Sequence, residues 1–494
     1  VLQDTTFDRT TRHLRHCGIN SDDPTVRTES PEVRDPMKSQ EEYVLRTVEE
    51  RGIRFVQLWF TDVLGTPKAF SITPAELENA LEEGMTFDGS AIDGFSRVQE
   101  SDVLARPDAN TFQLLPWHGH GQGQGFGDFH GDTAGAQVAR VFCDIVDLDG
   151  TPFQGDPRHV LKRTLERARS QGFTFYAAPE MEFFYFADGN PGHPPATLDT
   201  GSYFELTVAD RASDIRQRTV LTLEEMGIPV EHAQHEDAPS QHEIDLRYTD
   251  ALTMADTVMT VRLVVKEMAR QQGVFASFMP KPLAGVQGSG MHTHMSLFRG
   301  EENAFVDPDR PGGLSVVAEG FIAGLLRHAG EITAVTNQWV NSYKRLVSGY
   351  EAPIHVSWAR NNRSALVRVP VVKPGRSEST RIEYRSPDSA CNPYLAFAVI
   401  LAAGLRGIEQ GYELPPEADA NLFALSPEEL ESQGIQHLPG SLHEALALME
   451  SSDLLASTLG DHVFEWFIRN KRAEWAGYKA HVTQFELDRY LPLL

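Results

Sequence analysis

Cysteine is scarce in this chain: three in 494 residues, at Cys17, Cys143 and Cys391. So few, so widely spaced, exclude a disulfide framework and a cysteine-based zinc cluster. Long apolar runs are missing too. None approaches the ~18 residues of a membrane-spanning helix, and the N-terminal stretch has no apolar core of signal-peptide type. Positive charge is in deficit: 44 Lys and Arg stand against 70 Asp and Glu, a formal net charge of −26. That balance argues against nucleic acid as a partner, which needs a basic surface. It suits an enzyme that binds cations, or simply a solvated acidic face. No Walker A sequence occurs, so a nucleotide would not be held by a P-loop. The expected location is the cytoplasm, with neither nucleic acid nor membrane as partner.

What is present reads as an ordinary globular protein, 41% hydrophobic and 23% charged, long enough for two or three domains. Residues 1–36 are polar and aperiodic and are expected to be disordered. Residues 37–150 read as a small α+β domain. A helix in "SQEEYVLRTVEERG" is followed by two strands around the Gly-Thr-Pro turn of "IRFVQLWFTDVLGTPKAFSI". A helix in "TPAELENALEEG" comes next, with Thr73 as cap and Pro74 in its first turn, and then the glycine-punctuated loop "FDGSAIDGF". Inside this domain, residues 118–137 are rich in glycine and histidine. A metal-binding tract is one reading; a flexible surface insertion is preferred, because so much glycine scaffolds ligands poorly. Residues 151–494 form the larger unit, in which helices such as "HVLKRTLERARSQG" and "NPYLAFAVILAAGLRGIEQG" alternate with short strands.

The chemistry lies in those strands. "GSGMHTHMSLF" (288–298) alternates with period two, so His292, His294 and Ser296 share one face while Met291, Met295 and Leu297 share the other. "APEMEFFYF" groups Glu180 with Glu182, "SQHEIDLRY" groups Gln241, Glu243 and Asp245, and "RIEYR" groups Arg381, Glu383 and Arg385. One polar strand face is usually only solvated; four of them suggest a site. Carboxylates brought together repel unless cations neutralise them. Glutamates with one histidine suit Mg²⁺ or Mn²⁺, two such ions can clamp a triphosphate, and arginines offer planar forks to phosphate and carboxylate. These features predict metal-dependent phosphoryl transfer to an anionic second substrate.

In "PEMEFF", "HEDAPSQHEIDL", "GSGMHTHMS", "NSYKRLVSGYEAP", "NRSALVRVP", "RIEYRSPDSACNPY" and "FDGSAIDGF…ESD", the chain resembles glutamine synthetases of the bacterial type over roughly residues 40–490. The resemblance implies an α+β fold: a β-grasp N-terminal domain, a catalytic domain with a curved antiparallel sheet, and a dodecamer with active sites shared between subunits. It implies ATP and L-glutamate as substrates, an amine as acceptor, and two or three Mg²⁺ or Mn²⁺ per subunit. On that pattern Glu182, Glu236 and Glu243 would hold one metal, and Glu180, His292 and Glu383 the other. His294 and Ser296 would line the nucleotide side, with Arg363, Arg368 and Arg381 on its phosphates. Arg345, Arg385 and the Gly288 backbone would hold glutamate. Glu351 would close over the intermediate, Asp88 of a neighbouring subunit would deprotonate the incoming ammonium, and Ala91, Tyr203, Glu236 and Glu351 would surround the amine. Asp102 also matches a site position.

The chain departs from the family pattern at Ala91, Gln287 and Ser348, and it has Phe423 where regulated members carry an adenylylated tyrosine. The first three changes cluster around amine entry and the glutamate loop, and the chain also resembles actinobacterial paralogues of glutamine synthetase, some of which act as γ-glutamylpolyamine synthetases. A polyamine is therefore the expected acceptor. Ammonium is the alternative, for which the retained Asp88 and Glu351 speak, and a non-catalytic homologue is a remote one.

Overall fold

The computed structural model describes residues 36–90, 92, 94, 102–117, 137–190, 194–206, 210–373, 375–418 and 422–494. Ala91, the expected disorder of residues 1–36 up to Asp35, and residues 118–136 of the glycine-histidine tract lie outside the described residues.

The smaller sheet has six strands: β1 (Ile53–Thr61), β2 (Pro67–Ile72), β3 (Met85–Asp88), β4 (Asp102–Pro107), β5 (Gln113–Leu114) and β6 (Gln137–Val146). Its order is β2-β1-β6-β4-β3, with β5 on β6. The β1–β6 pair is parallel and the other pairs are antiparallel. Helices α1 (Pro36–Glu50) and α2 (Pro74–Glu82) cover it, burying Val44, Val48, Leu77, Ala80 and Leu81 against Val56, Leu58 and Ile145. Thr73 takes the N-cap position of α2 but its side chain makes no capping hydrogen bond; Pro74 at the first helical position sets the start instead.

The larger sheet has ten strands: β7 (Thr174–Phe186), β8 (Val230–His235), β9 (Gln241–Leu246), β10 (Thr249–Asp250), β11 (Phe275–Ser277), β12 (Met291–Arg299), β13 (Glu302–Asn303), β14 (His355–Ala359), β15 (Ala365–Arg368) and β16 (Ile382–Tyr384). The main path is β14-β15-β16-β12-β7-β9-β8. It is antiparallel except at β14–β15, which run parallel. One face packs on helices. The other carries the polar side chains picked out above.

Beneath the sheet, α6 (Val316–Thr336) lies against α8 (Pro393–Gln410). Glycines let the two backbones touch: a Cβ at Gly320 would stand 3.2 Å from the Ile408 Cα. Asn392 caps α8 through the backbone N–H groups of Tyr394 and Leu395, and Gly411 ends it at φ +61°. Asn392 also donates to the carbonyls of Asp62 and Val63, joining the two sheets' domains. Gly65 in that turn has φ +83°, and a Cβ there would meet the Asn392 Cα at 3.0 Å. No helix among the described residues is long and apolar enough to cross a membrane.

Candidate active site

Side chains directly opposite on antiparallel strands share a face, so strand register assembles the site. One row across the sheet reads His292–Glu180–Asp245–His232, over β12, β7, β9 and β8. The next reads Glu182–Glu243–Gln234. On the other side, Arg368–Glu383–His294 runs over β15, β16 and β12. The rows floor a cavity of about 520 Å³ lined by Glu180, Glu182, Glu236, Glu243, Asp245 and His292. Tyr203, Glu351, Arg363, Arg368, Arg385 and Phe423 form part of its walls.

At one end the carboxylates are well supplied with cations and donors. Glu383 is buried, accepts from Arg385 Nη1 at 2.6 Å and pairs with Arg368. Burial opposes ionisation there, but Arg385 and the two histidines hold the carboxyl below its usual range. Glu180 accepts from His294 Nε2 at 2.6 Å and lies 3.0 Å from His292 Nδ1. Burial works against its charge, and those two hydrogen bonds outweigh it, so its carboxyl also titrates below normal. Arg381 Nε donates to His294 Nδ1 at 3.2 Å. That fixes the His294 proton on Nε2, aimed at Glu180, so His294 braces Glu180. His292 Nδ1 stands 3.8 Å from Glu383, and its Nε2 stands 4.0 Å from Glu182.

At the other end no lysine or arginine among the described residues pairs with Glu236 or Glu243, although Arg363 lines the same cavity. Glu236 and Glu243 share the single Gln234 amide, at 2.9 and 2.8 Å. Burial, then the charge of Glu182, pushes Glu236 up to about 8. Burial and the neighbouring Asp245 push Glu243 well above its ordinary range. Burial and Glu180 push Asp245 to about 8. Glu182 is anchored by Gln241 Nε2 at 3.0 Å and by the Gly290 N–H at 2.9 Å. Carboxylate oxygens crowded around one imidazole are the donor set of a Mg²⁺ or Mn²⁺ site. The residues present fit such ions.

The remaining sequence-predicted residues fall in three places. Gly288 passes against the Pro280 carbonyl and the Arg345 stem, with no room for a Cβ. Arg345 does not line the cavity: it is buried and gives its Nη atoms to the carbonyls of Ser386 at 2.7 Å and of Pro387 and Arg385 at 3.3 Å. Arg385 has a buried Nε with no protein acceptor, a free donor beside the glutamates. Ser296 lies further along β12 and Arg381 just before β16, both outside the cavity lining. Asp88 ends β3 in the other sheet, opposite Asp102 on β4, where it accepts from the Ser90 N–H at 2.8 Å; neither aspartate lines this cavity. Glu351 does line it, with φ +58°, a left-handed conformation that costs a non-glycine residue about 1 kcal/mol. Gln287 donates to Asp237 at 2.5 Å.

Sequence reasoning missed His232, Gln234, Asn362 and Ser364 in the lining and gave Asp245 no role. Asp245 has the same strand parity as Glu243. His232 and Gln234 alternate with Glu236 in "EHAQHE", the signal that could have exposed β8.

Comparison with known proteins fits this geometry. Residues 52–148 match the family model described as glutamine synthetase, beta-Grasp domain, and residues 154–490 match glutamine synthetase, catalytic domain. A protein of Mycolicibacterium smegmatis named glutamine synthetase is 58% identical over 92% of this chain and all of its own length. One of Thermotoga maritima with the same name is 48% identical over 92% of this chain and 99% of its own. Among solved structures, a GmaS/ADP complex superposes with TM-score 0.79 at 32% identity, over 91% of this chain and 99% of that one. The cryo-EM structure of Plasmodium falciparum glutamine synthetase gives TM-score 0.81 at 25% identity, over 92% and 99%. The chain belongs to the glutamine synthetase family, as a ligase that joins glutamate to ammonia or an amine.

Proposed function

We propose that this chain is a glutamate–ammonia ligase, using ATP to activate glutamate as γ-glutamyl phosphate. The observation that carries this reading is one cavity whose floor gathers Glu180, Glu182, Glu236, Glu243 and His292 and whose walls carry Arg363, Arg368 and Arg385. A carboxylate is a poor electrophile. Transfer of the ATP γ-phosphoryl group to the glutamate side chain turns one carboxylate oxygen into a phosphate leaving group. Ammonia then attacks the carbonyl carbon, the C–O bond breaks, and glutamine and inorganic phosphate result.

In this reading Arg363, Arg368 and Arg381 hold phosphate oxygens, and the open Nε of Arg385 faces glutamate. Glu182, Glu236 and Glu243 would hold one Mg²⁺ or Mn²⁺, and Glu180, His292 and Glu383 a second. Such ions would neutralise the crowded carboxylates and the triphosphate. Arg345 supports the glutamate site by fixing the backbone from Arg385 to Pro387. Glu351 closes the wall and limits water, which would hydrolyse the acyl phosphate. Asp88 takes the proton of the ammonium. Its distance in the fold from its own chain's cavity supports sites shared between subunits, in a dodecamer.

The expected polyamine acceptor gives way to ammonium. Relatives of 46–58% identity carry the name glutamine synthetase, and the retained Asp88 and Glu351 suit ammonia chemistry. The test is phosphate release from ATP and glutamate with ammonium, putrescine, spermidine or ethanolamine, with the product identified by mass. Glutamine formation with ammonium is expected. Turnover with polyamines and little with ammonium would replace this reading with a γ-glutamylpolyamine synthetase.

A further inference from the structure

We propose that Lys281 is a positioning residue: by seating its ammonium on the ring of Tyr350 it latches the loop that carries Glu351 to the loop that leads to Gly288. The inference rests on the reading that Glu351 closes the cavity wall against water, and it names what holds that wall in place.

The Glu351 loop needs a latch. Residues 347–349 and Glu351 are exposed, and Tyr350 between them is half-buried. No hydrogen bond ties residues 348–351 to the rest of the described residues. Gly349 and Glu351, on either side of Tyr350, both line the cavity and stand at φ +90° and +58°. A left-handed conformation at a non-glycine residue persists only where the surroundings enforce it. Tyr350 is the side chain through which they can.

Lys281 is placed to hold it. Its backbone is clamped by one amide: its N–H donates to Asn341 Oδ1 at 2.7 Å, and Asn341 Nδ2 donates to its carbonyl at 3.1 Å. The residue is only 9% exposed. Its ammonium lies 3.9 Å from the centre of the Tyr350 ring and donates to the Val286 carbonyl. Among the described residues no carboxylate pairs with it. A desolvated ammonium over an aromatic face is attracted by the negative face of the ring. Val286 lies two residues before Gly288, in a loop whose neck is closed by the Ser289 N–H on the Pro280 carbonyl at 2.8 Å. One ammonium therefore ties the loop expected at glutamate to the loop that covers it. With the latch gone, water reaches the acyl phosphate. It attacks the carbonyl carbon in place of ammonia, the C–O bond breaks, and glutamate and phosphate are released. ATP is then hydrolysed and no glutamine forms.

The experiment compares phosphate released with glutamine formed, in the full-length enzyme with ATP, glutamate, Mg²⁺ and ammonium. Wild type should give equal amounts. Lys281→Met and Tyr350→Leu should release several-fold more phosphate than glutamine. Tyr350→Phe, which keeps the ring face, should give equal amounts. Thermal melting checks the fold, and the two Tyr350 variants, at a half-buried loop position, carry the test if K281M is unstable. Glu351→Ala measures closure itself and should also leak. Leakage in E351A with equal amounts in K281M and Y350L overturns the latch and leaves the closure reading standing. Leakage in Y350F as large as in Y350L overturns it too, because the ring face is then not the contact, and so does leakage in K281M without leakage in Y350L. Equal amounts in E351A removes the closure reading, and the latch with it.

Discussion

The two ends of the cavity are built from the same side chain and behave in opposite ways. Glu180 and Glu383 titrate below the normal carboxylate range, while Glu236 and Glu243 titrate above it. All four are removed from water, so desolvation alone cannot separate them. What separates them is the neighbour: two arginines and two histidines at one end, a shared Gln234 amide and other carboxylates at the other. At the first end the protein's own side chains balance the carboxylates. At the second, the crowded carboxylates repel one another unless they hold protons or bind cations.

The strongest way to break the comparison is to remove the carboxylate that ties the arginine end together. Glu383→Ala should lower phosphoryl transfer by about 10³-fold or more. It should also destabilise the protein, since losing one partner of a buried ion pair costs roughly 3–5 kcal/mol. Glu383→Gln, which keeps the shape, separates the two effects when kcat and melting temperature are measured side by side. Retained turnover in either variant would take Glu383 out of the metal site.

Asp88→Ala tests the site from the other sheet. It should leave ATP and glutamate binding intact and slow amine attack by about 10²-fold, the scale of a positioned general base. Phosphate release should then respond less steeply to ammonium, while the KM for glutamate holds. Unchanged turnover with ammonium would refute the role.

The cation-poor end makes a prediction about pH. Glu236 and Asp245 keep their protons to about pH 8 in the folded protein, whereas the unfolded chain releases them near pH 4. Between those values the folded state binds more protons than the unfolded one, so stability falls as pH rises. Metal-free protein should melt several degrees lower at pH 8 than at pH 6. Saturating Mn²⁺ should flatten that slope, because the ion holds the ionised carboxylates. At pH 7 metal binding should release protons, which calorimetry in two buffers of different ionisation enthalpy measures. A flat melting profile without metal would mean that waters or other groups already satisfy these glutamates.

Much of this contrast could be read from strand parity. Alternation placed Glu180 with Glu182 and His292 with His294, and the register bears both groupings out; it also placed Glu383 with Arg381 and Arg385, of which Arg385 meets Glu383 while Arg381 meets His294. Parity cannot say which strands are neighbours. That is why β8 was missed, although it supplies His232 and Gln234 to the rows. It is also silent about residues off the strands. Arg345 looks like a substrate ligand beside "NSYK", yet its Nη atoms meet backbone carbonyls. Helix α6 escaped for the opposite reason: it is apolar on nearly every side, so it shows no amphipathic stripe against α8.

The smallest effect concerns Phe423, which joins the cavity wall and sets its ring 5.8 Å from that of His355. A phenyl ring has no hydroxyl to accept an adenylyl group. Incubation with an adenylyltransferase and ATP should leave this position unlabelled, and labelling there would overturn the loss of that control. Phe423→Tyr adds one oxygen at the wall without moving any charge on the floor. Its basal turnover should therefore differ from wild type by less than the other variants, whether or not a transferase can use the new hydroxyl. A large drop in the unmodified F423Y enzyme would mean that this wall, and not only the charged floor, is shaped to the substrate.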